Sequence, residues 1–140
     1  RSIELETGPA IQDAGVREKL ADWYVEMKGL ELTQYRTITA LSRGETPGPE
    51  SSITKIISAN KRQDIANFAM DLMDQGGVSM EERQTMAGLF QEAMLSSPSG
   101  RIAGGTDEIL RNIIAERVLG LPQDIRVDKN VPFDQLPTGR

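Results

Sequence analysis

The sequence predicts an all-α protein, an antiparallel up-down helical bundle. Three observations carry this: apolar residues recur at steps of three and four, capping residues and glycines or prolines punctuate those stretches, and no run alternates as a convincing strand would. The 140 residues suit one domain with one core, with 38% apolar and 26% charged residues in keeping with a globular chain. Residues 1–12 read as a lead-in, 13–121 as the bundle and 122–140 as an extended tail.

The first helix is expected over about 13–43. Val16, Leu20, Trp23, Met27, Leu30, Ile38 and Leu41 form its stripe, with Gln34 filling the one gap and Gly44 as the stop. Trp23, Tyr24 and Tyr35 are read as core or seam residues. The loop RGETPGPESS follows. A second helix is expected over about 50–74, with Pro49 at a first-turn position and Glu50 against the positive end of the dipole. Its middle, Ser58 to Asp64, is polar on nearly all sides. That suits a solvated turn or a face meeting polar groups of another domain, and base rates for exposed charge favour the first.

Gln75, Gly76 and Gly77 end the second helix. A third is expected over about 80–95, capped by Ser79 with Glu82 three positions on, and broken by SSPSG. The fourth is expected over about 106–119. Thr106 caps it, Asp107 and Glu108 lie in its first turn, and Gly120 with Pro122 ends it. Ile109, Leu110, Ile113, Ile114, Val118 and Leu121 give it more than one apolar face, which predicts a place deep in the bundle.

Composition excludes several chemistries. With no Cys and no His, the chain has no disulfide, thiolate nucleophile, serine–histidine relay or histidine zinc site, and no carboxylates have EF-hand spacing. The net charge of −5 argues against a nucleic-acid partner, and the most basic stretch, Lys55 to Arg62, has too few charges for a recognition helix. No apolar run approaches the roughly 20 residues of a membrane span, and the N-terminus lacks a signal-peptide core. The chain lacks an initiating Met and is read as a fragment of something longer. Redox chemistry here would need a borrowed cofactor.

Gly104, Gly105 and Thr106 immediately precede a helix, where glycines permit close backbone approach and free N–H groups suit a polar part of a nucleotide. An ordinary loop and cap is by far the commoner reading of such a triplet, and Asp107 and Glu108 oppose a bare anion. The longer string RIAGGTDEILRNIIAERVLGLP, Arg101 to Pro122, is more specific. It closely resembles the last helix of the acyl-CoA dehydrogenase family, in which a Y-E-G-T or A-G-G-T turn precedes the terminal helix. The long first helix ending in RGETPGPESSITK is similar to the family's second bundle helix and its following turn. IANFAMDLMDQGG looks like the end of the next helix, and RVDKNVPFDQLP resembles the tails of bacterial members.

The resemblance implies the C-terminal bundle of a three-part flavoenzyme, present as its last three or so helices and a short connecting helix. It implies FAD as cofactor, an acyl-CoA thioester as substrate, an electron-transfer flavoprotein as electron acceptor, and a homo- or hetero-oligomer, dimer or tetramer, in the bacterial cytoplasm. In that family a carboxylate removes the α proton while a hydride passes from the β carbon to N5 of the flavin. Gly105, Thr106, Asp107 and Glu108 match the turn that touches FAD. Gly76 and Gly77 match the glycine-rich exit near the flavin of a neighbouring subunit. Gly104 occupies the usual position of the catalytic Glu, so no catalytic residue is assigned to this chain. The base is then sought on the family's first bundle helix, on a partner subunit, or nowhere, the first being preferred. The fragment alone is expected to be inactive. The other reading is a non-catalytic helical module for oligomerisation.

Overall fold

The computed structural model describes residues 3–46, 48–123, 125, 128 and 131–136. Asp13 starts the first helix, its carboxylate accepting the Val16 N–H at 3.0 Å, and α1 runs over Ala14–Ser42. Gly44 follows in the left-handed region at φ +74, a conformation that glycine adopts without penalty. Before α1 a two-residue hairpin, β1 (Glu4–Leu5) with β2 (Gly8–Pro9), pairs Glu4 with Pro9 and Leu5 with Gly8. This small sheet departs from the strand-free expectation. It is too short to leave a periodic signal.

Helix α2 spans Ser51–Met73. Trp23 Nε1 donates to Asp64 Oδ2 at 2.8 Å, Glu26 pairs with Lys61, and the Trp23 and Phe68 rings meet edge to face at 5.3 Å. Positions rise on α1 as their partners fall on α2, so the two helices are antiparallel. The polar stretch Ser58 to Asp64 lies within α2, as expected, but it is not simply solvated. It is helical throughout, and Asn60, Lys61, Gln63 and Asp64 find partners within the same chain.

The third long helix departs most from expectation. Helix α3 is a single turn, Gln75–Val78, and α4 begins only at Met86. Ser79 is extended, at φ −77 and ψ 122, so no capping box forms there. The cause is Gln91, only 2% exposed. Its amide oxygen accepts the Glu81 N–H at 2.9 Å, and its nitrogen donates to the carbonyls of Ser79 at 2.6 Å and Gly77 at 3.2 Å. That pin holds the segment extended until Thr85 caps α4, accepting the Gly88 N–H at 3.0 Å.

Nor does SSPSG break α4, which continues to Gly100 with Pro98 inside it. A proline removes the N–H that would serve the carbonyl four residues back, here that of Met94. The Ser97 hydroxyl donates to that carbonyl instead, at 3.1 Å. Arg62 reaches Ser96, and Ala59 lies beside Gly100, so α4 is antiparallel to α2.

Helix α5, Asp107–Ile113, passes into a π-helical turn, Ile114–Val118, and Gly120 closes it at φ +69. The Leu121 N–H bonds back to the Ala115 carbonyl across that glycine. Only Leu110 of its apolar residues is buried, while Ile109 is 54% exposed. The expectation of a deeply placed last helix fails because α5 packs chiefly on α2, whose Lys55 and Asn60 reach the turn and Asp107. Much of the stripe of α1 is also uncovered: Trp23 and Leu30 are half-buried, while Leu20, Ile38 and Leu41 are exposed and Met27 is 60% exposed. An open groove of about 630 Å³ between α1, α2 and α4 is lined by Leu20, Trp23, Met27, Leu30, Ile65 and Phe90. Of the expected tail, residues 124, 126, 127, 129, 130 and 137–140 lie outside the described residues, as does Pro47 in the loop before α2. Phe133–Gln135 form a short 3-10 turn.

Candidate functional site

Four of the sequence-predicted residues, Gly105, Thr106, Asp107 and Glu108, stand together where α4 hands over to α5. Gly104 and Gly105 reverse the chain at φ +70 and φ +103. A Cβ on Gly104 would meet nothing within 4 Å, whereas one on Gly105 would touch Leu110 at 3.4 Å. The outer side of the turn is thus open and its inner side packed. Thr106, at φ −68 and ψ 162, accepts the Ile109 N–H on its hydroxyl at 3.4 Å, a long cap bond.

Asp107 turns inward and is 2% exposed. Arg101 Nε and Nη2 both reach its Oδ2 at 2.7 Å, and Asn60 Nδ2 lies 3.5 Å from the same atom. Arg101 Nη1 continues to Gln63 Oε1 at 3.2 Å. The Arg101–Asp107 pair joins the two residues that flank the turn, and Asn60 and Gln63 seat the pair on α2. The Arg101 hydrogen bond is the main cause holding the Asp107 carboxyl below the usual range. Burial opposes it, and Asn60 and Lys55 assist. Asp107 Oδ1 is buried and takes no hydrogen bond from the described residues. Lys55, from the first turns of α2, donates to the Gly105 carbonyl at 2.6 Å.

Glu108 faces outward. Its own backbone N–H and then the Thr106 hydroxyl lower its pKa, against burial and the neighbouring Asp107 charge. Near neutral pH the start of α5 therefore carries an exposed, charged carboxylate. This favours hydrogen-bond donors and uncharged groups over a phosphate.

Gly76 and Gly77 are not part of this cluster. They lie in α3 beyond the far end of α2, and 18 residues of helix between Lys55 and Met73 span roughly 27 Å. Gly77 is buried, and a Cβ there would stand 2.8 Å from the Met70 carbonyl oxygen. Asp74 just before them holds φ 48 and ψ −123, a backbone region costly for a side-chain-bearing residue. Sequence reasoning missed Lys55, Asn60, Gln63, Arg101 and Gln91. The available signal was the polar middle of α2, since a helix polar on all sides is often meeting polar partners.

A family model described as "Acyl-CoA dehydrogenase, C-terminal domain" matches residues 1–119. The chain belongs to the acyl-CoA dehydrogenase family. Within it, the chain is 32% identical over 117 residues to the acyl-CoA dehydrogenase IpdE1 of Mycolicibacterium smegmatis, covering 84% of this chain and 28% of that protein. It is 38% identical over 80 residues to the acyl-CoA dehydrogenase FadE34 of Mycobacterium tuberculosis, covering 57% and 10%. Among solved structures it resembles the ChsE4–ChsE5 complex from Mycobacterium tuberculosis, with TM-score 0.71, 20% identity and coverage of 86% and 32%. It also resembles the Tcur3481–Tcur3483 steroid ACAD, with TM-score 0.69, 21% identity and coverage of 82% and 30%. The chain thus spans under a third of the length of these relatives. The matched structural neighbours bear out the helical-bundle fold of the family's C-terminal domain.

Proposed function

We propose that the chain is the C-terminal, cofactor-side part of an FAD-dependent dehydrogenase that introduces an α,β double bond into an acyl-CoA thioester. The carrying observation is the turn at Gly104–Glu108, open outward at Gly104, bracketed by Arg101 and Asp107, and placed at the start of α5. FAD, when bound, supplies the acceptor for the hydride leaving the β carbon. This chain's own residues bind and orient. Gly105, Thr106, Asp107 and Glu108 would hold the dinucleotide, and Gly76 and Gly77 would approach the flavin of a neighbouring subunit.

The donor set of the turn fits such a group. A missing Cβ at Gly104 leaves room for close approach, and Thr106 offers a hydroxyl and an N–H. Asp107 Oδ1 is shut inside the chain, so a part for Asp107 in holding the dinucleotide falls to its backbone. The Glu108 carboxylate fits hydroxyl and ring-nitrogen donors of the dinucleotide and opposes its pyrophosphate. The roughly 27 Å of α2 that runs from Lys55, at the turn, to Met73, just before α3, supports assigning Gly76 and Gly77 to a different bound molecule.

Gly104 has no side chain to accept a proton, so the base belongs to a segment outside this chain, preferably the family's first bundle helix. The proposed partners are acyl-CoA, an electron-transfer flavoprotein, and other subunits in a homo- or hetero-oligomer, dimer or tetramer, in the bacterial cytoplasm. The two-protein assemblies among the structural neighbours and the largely uncovered α1 stripe support the assembly. No helix among the described residues is long and apolar enough to cross a membrane. Thr106→Ala in the intact dehydrogenase tests the cofactor reading. FAD titration should show weaker binding by about tenfold, the loss for one hydrogen bond. Unchanged affinity, or an intact protein that cannot be loaded with FAD, would count against it and favour a non-catalytic assembly module.

A further inference from the structure

Lys55 lies on a different helix from the Gly104–Thr106 turn and fifty residues before it, yet its ammonium donates to the Gly105 carbonyl at 2.6 Å in a partly buried contact. This is a charge-assisted hydrogen bond, shorter than an ordinary amide one. The Gly105–Thr106 peptide is trans. In a trans peptide the carbonyl and the N–H point in opposite directions. With the carbonyl drawn onto α2, the Thr106 N–H must face away from α2. Among the described residues no acceptor takes that N–H.

The turn cannot set this orientation itself. Gly104 and Gly105 both sit at positive φ, and glycine backbones rotate with the least hindrance. The Arg101–Asp107 pair fixes the two ends of the turn, not the peptide plane inside it. Lys55 is the side chain that grips the plane.

We propose that Lys55 is a positioning residue that locks the Gly105–Thr106 peptide and presents the Thr106 N–H as a fixed donor to an uncharged oxygen or nitrogen acceptor on FAD. This rests on the cofactor reading above. Without the ammonium the plane rotates, the donor faces the ligand only part of the time, and affinity falls by that fraction.

The test uses Lys55→Met, Lys55→Arg and Thr106→Ala in the intact dehydrogenase, with FAD affinity read from flavin fluorescence. The second readout is the Thr106 amide resonance of the flavin-free protein labelled with 15N-threonine. Lys55→Met should weaken FAD binding about ten- to a hundredfold, the loss expected for a charged hydrogen bond. It should also shift or broaden the Thr106 amide signal, and Lys55→Arg, which keeps a cationic donor, should recover most of both. A Lys55→Met protein with native FAD affinity and a native Thr106 resonance overturns the proposal. So does a loss that arginine fails to recover, which marks a merely structural lysine. If Thr106→Ala weakens FAD binding and Lys55→Met does not, the cofactor reading stands and the role of Lys55 falls. If neither variant affects FAD binding, the cofactor reading fails and takes this proposal with it.

Discussion

Replacing Gly88 by alanine sets two effects against each other on one helix. Alanine is favoured over glycine in a helix by about 1 kcal/mol, which on propensity alone predicts a gain. But Gly88 is buried in the first turn of α4. A Cβ there would lie 2.6 Å from the Glu82 carbonyl carbon and 3.1 Å from Arg83 Cα, and closer still to the Glu82 oxygen. These are backbone atoms, and they have little freedom to yield. Thr85 bonds the Glu82 carbonyl through its N–H at 2.9 Å and its hydroxyl at 2.8 Å, while capping Gly88 itself. Overpacking of this kind costs about 1–3 kcal/mol, and disturbing the cap adds about 1. Subtracting the propensity gain leaves a net loss of roughly 1–3 kcal/mol. Gly29 is the control. It lies exposed in the interior of α1, where a Cβ would meet nothing within 4 Å, so Gly29→Ala should gain about 0.5–1 kcal/mol. Thermal melts followed by far-UV circular dichroism and by Trp23, the only tryptophan, would read both. At about 4 °C per kcal/mol for a chain of this size, Gly88→Ala should melt roughly 4–12 °C lower and Gly29→Ala about 2–4 °C higher. A Gly88→Ala protein melting at or above the unmodified chain would refute the reasoning.

Two further outcomes follow from particular bonds. Ser97 is 1% exposed, and Ser97→Ala leaves the Met94 carbonyl without its donor, so it should destabilise by about 1–2 kcal/mol. Pro98→Ala restores a backbone N–H to that carbonyl and should stabilise more in the Ser97→Ala background than alone. A strictly additive double-variant melt would rule out the substitution of one donor for the other. At Asp64, the hydrogen bond from Trp23 is the first cause lowering the carboxyl pKa, followed among favourable causes by Lys19, with burial opposing. A carboxyl lowered in the folded state adds stability above its unfolded value near about 4, and that stability is lost as pH falls through the folded value. Asp64 is well exposed, so the contribution should be below about 1 kcal/mol. Urea midpoints measured from neutral to acid pH should fall more steeply for the native chain than for Asp64→Asn. Parallel acid limbs would dismiss the linkage.

What was legible in the sequence was what local patterns encode. The start of α1 near Asp13, its periodic stripe, Gly44 and Gly120 as stops, and Thr106 before α5 all act within four residues of themselves, so a linear reading reaches them. The start of α4 was misread for the same reason. Ser79 and Glu82 have the spacing of a capping box, but Gln91, ten to fourteen residues on, already bonds the backbone of residues 77–81 and forbids the turn. SSPSG looks like a break because proline removes a donor, and only the Ser97 hydroxyl, seen in three dimensions, shows that the donor is replaced. The burial of α1 and α5 was over-read because periodicity shows that a face is apolar without showing that anything covers it.

The candidate turn divides along the same line. Its string was enough to place the chain in its family, and Gly104 was enough to show that no proton acceptor stands there. The geometry of the turn was out of reach, because it is set by Lys55, Asn60 and Gln63 from a stretch that reads as solvated helix. These residues lie on the side of α2 that meets the turn, and each bonds a group 38 to 50 residues away in sequence. A polar stretch in mid-helix therefore carries two meanings that composition cannot separate: a surface facing water, or a rail on which another segment is seated by charge. Here it is the rail. The open side of the turn and the inward carboxylate of Asp107 both follow from it.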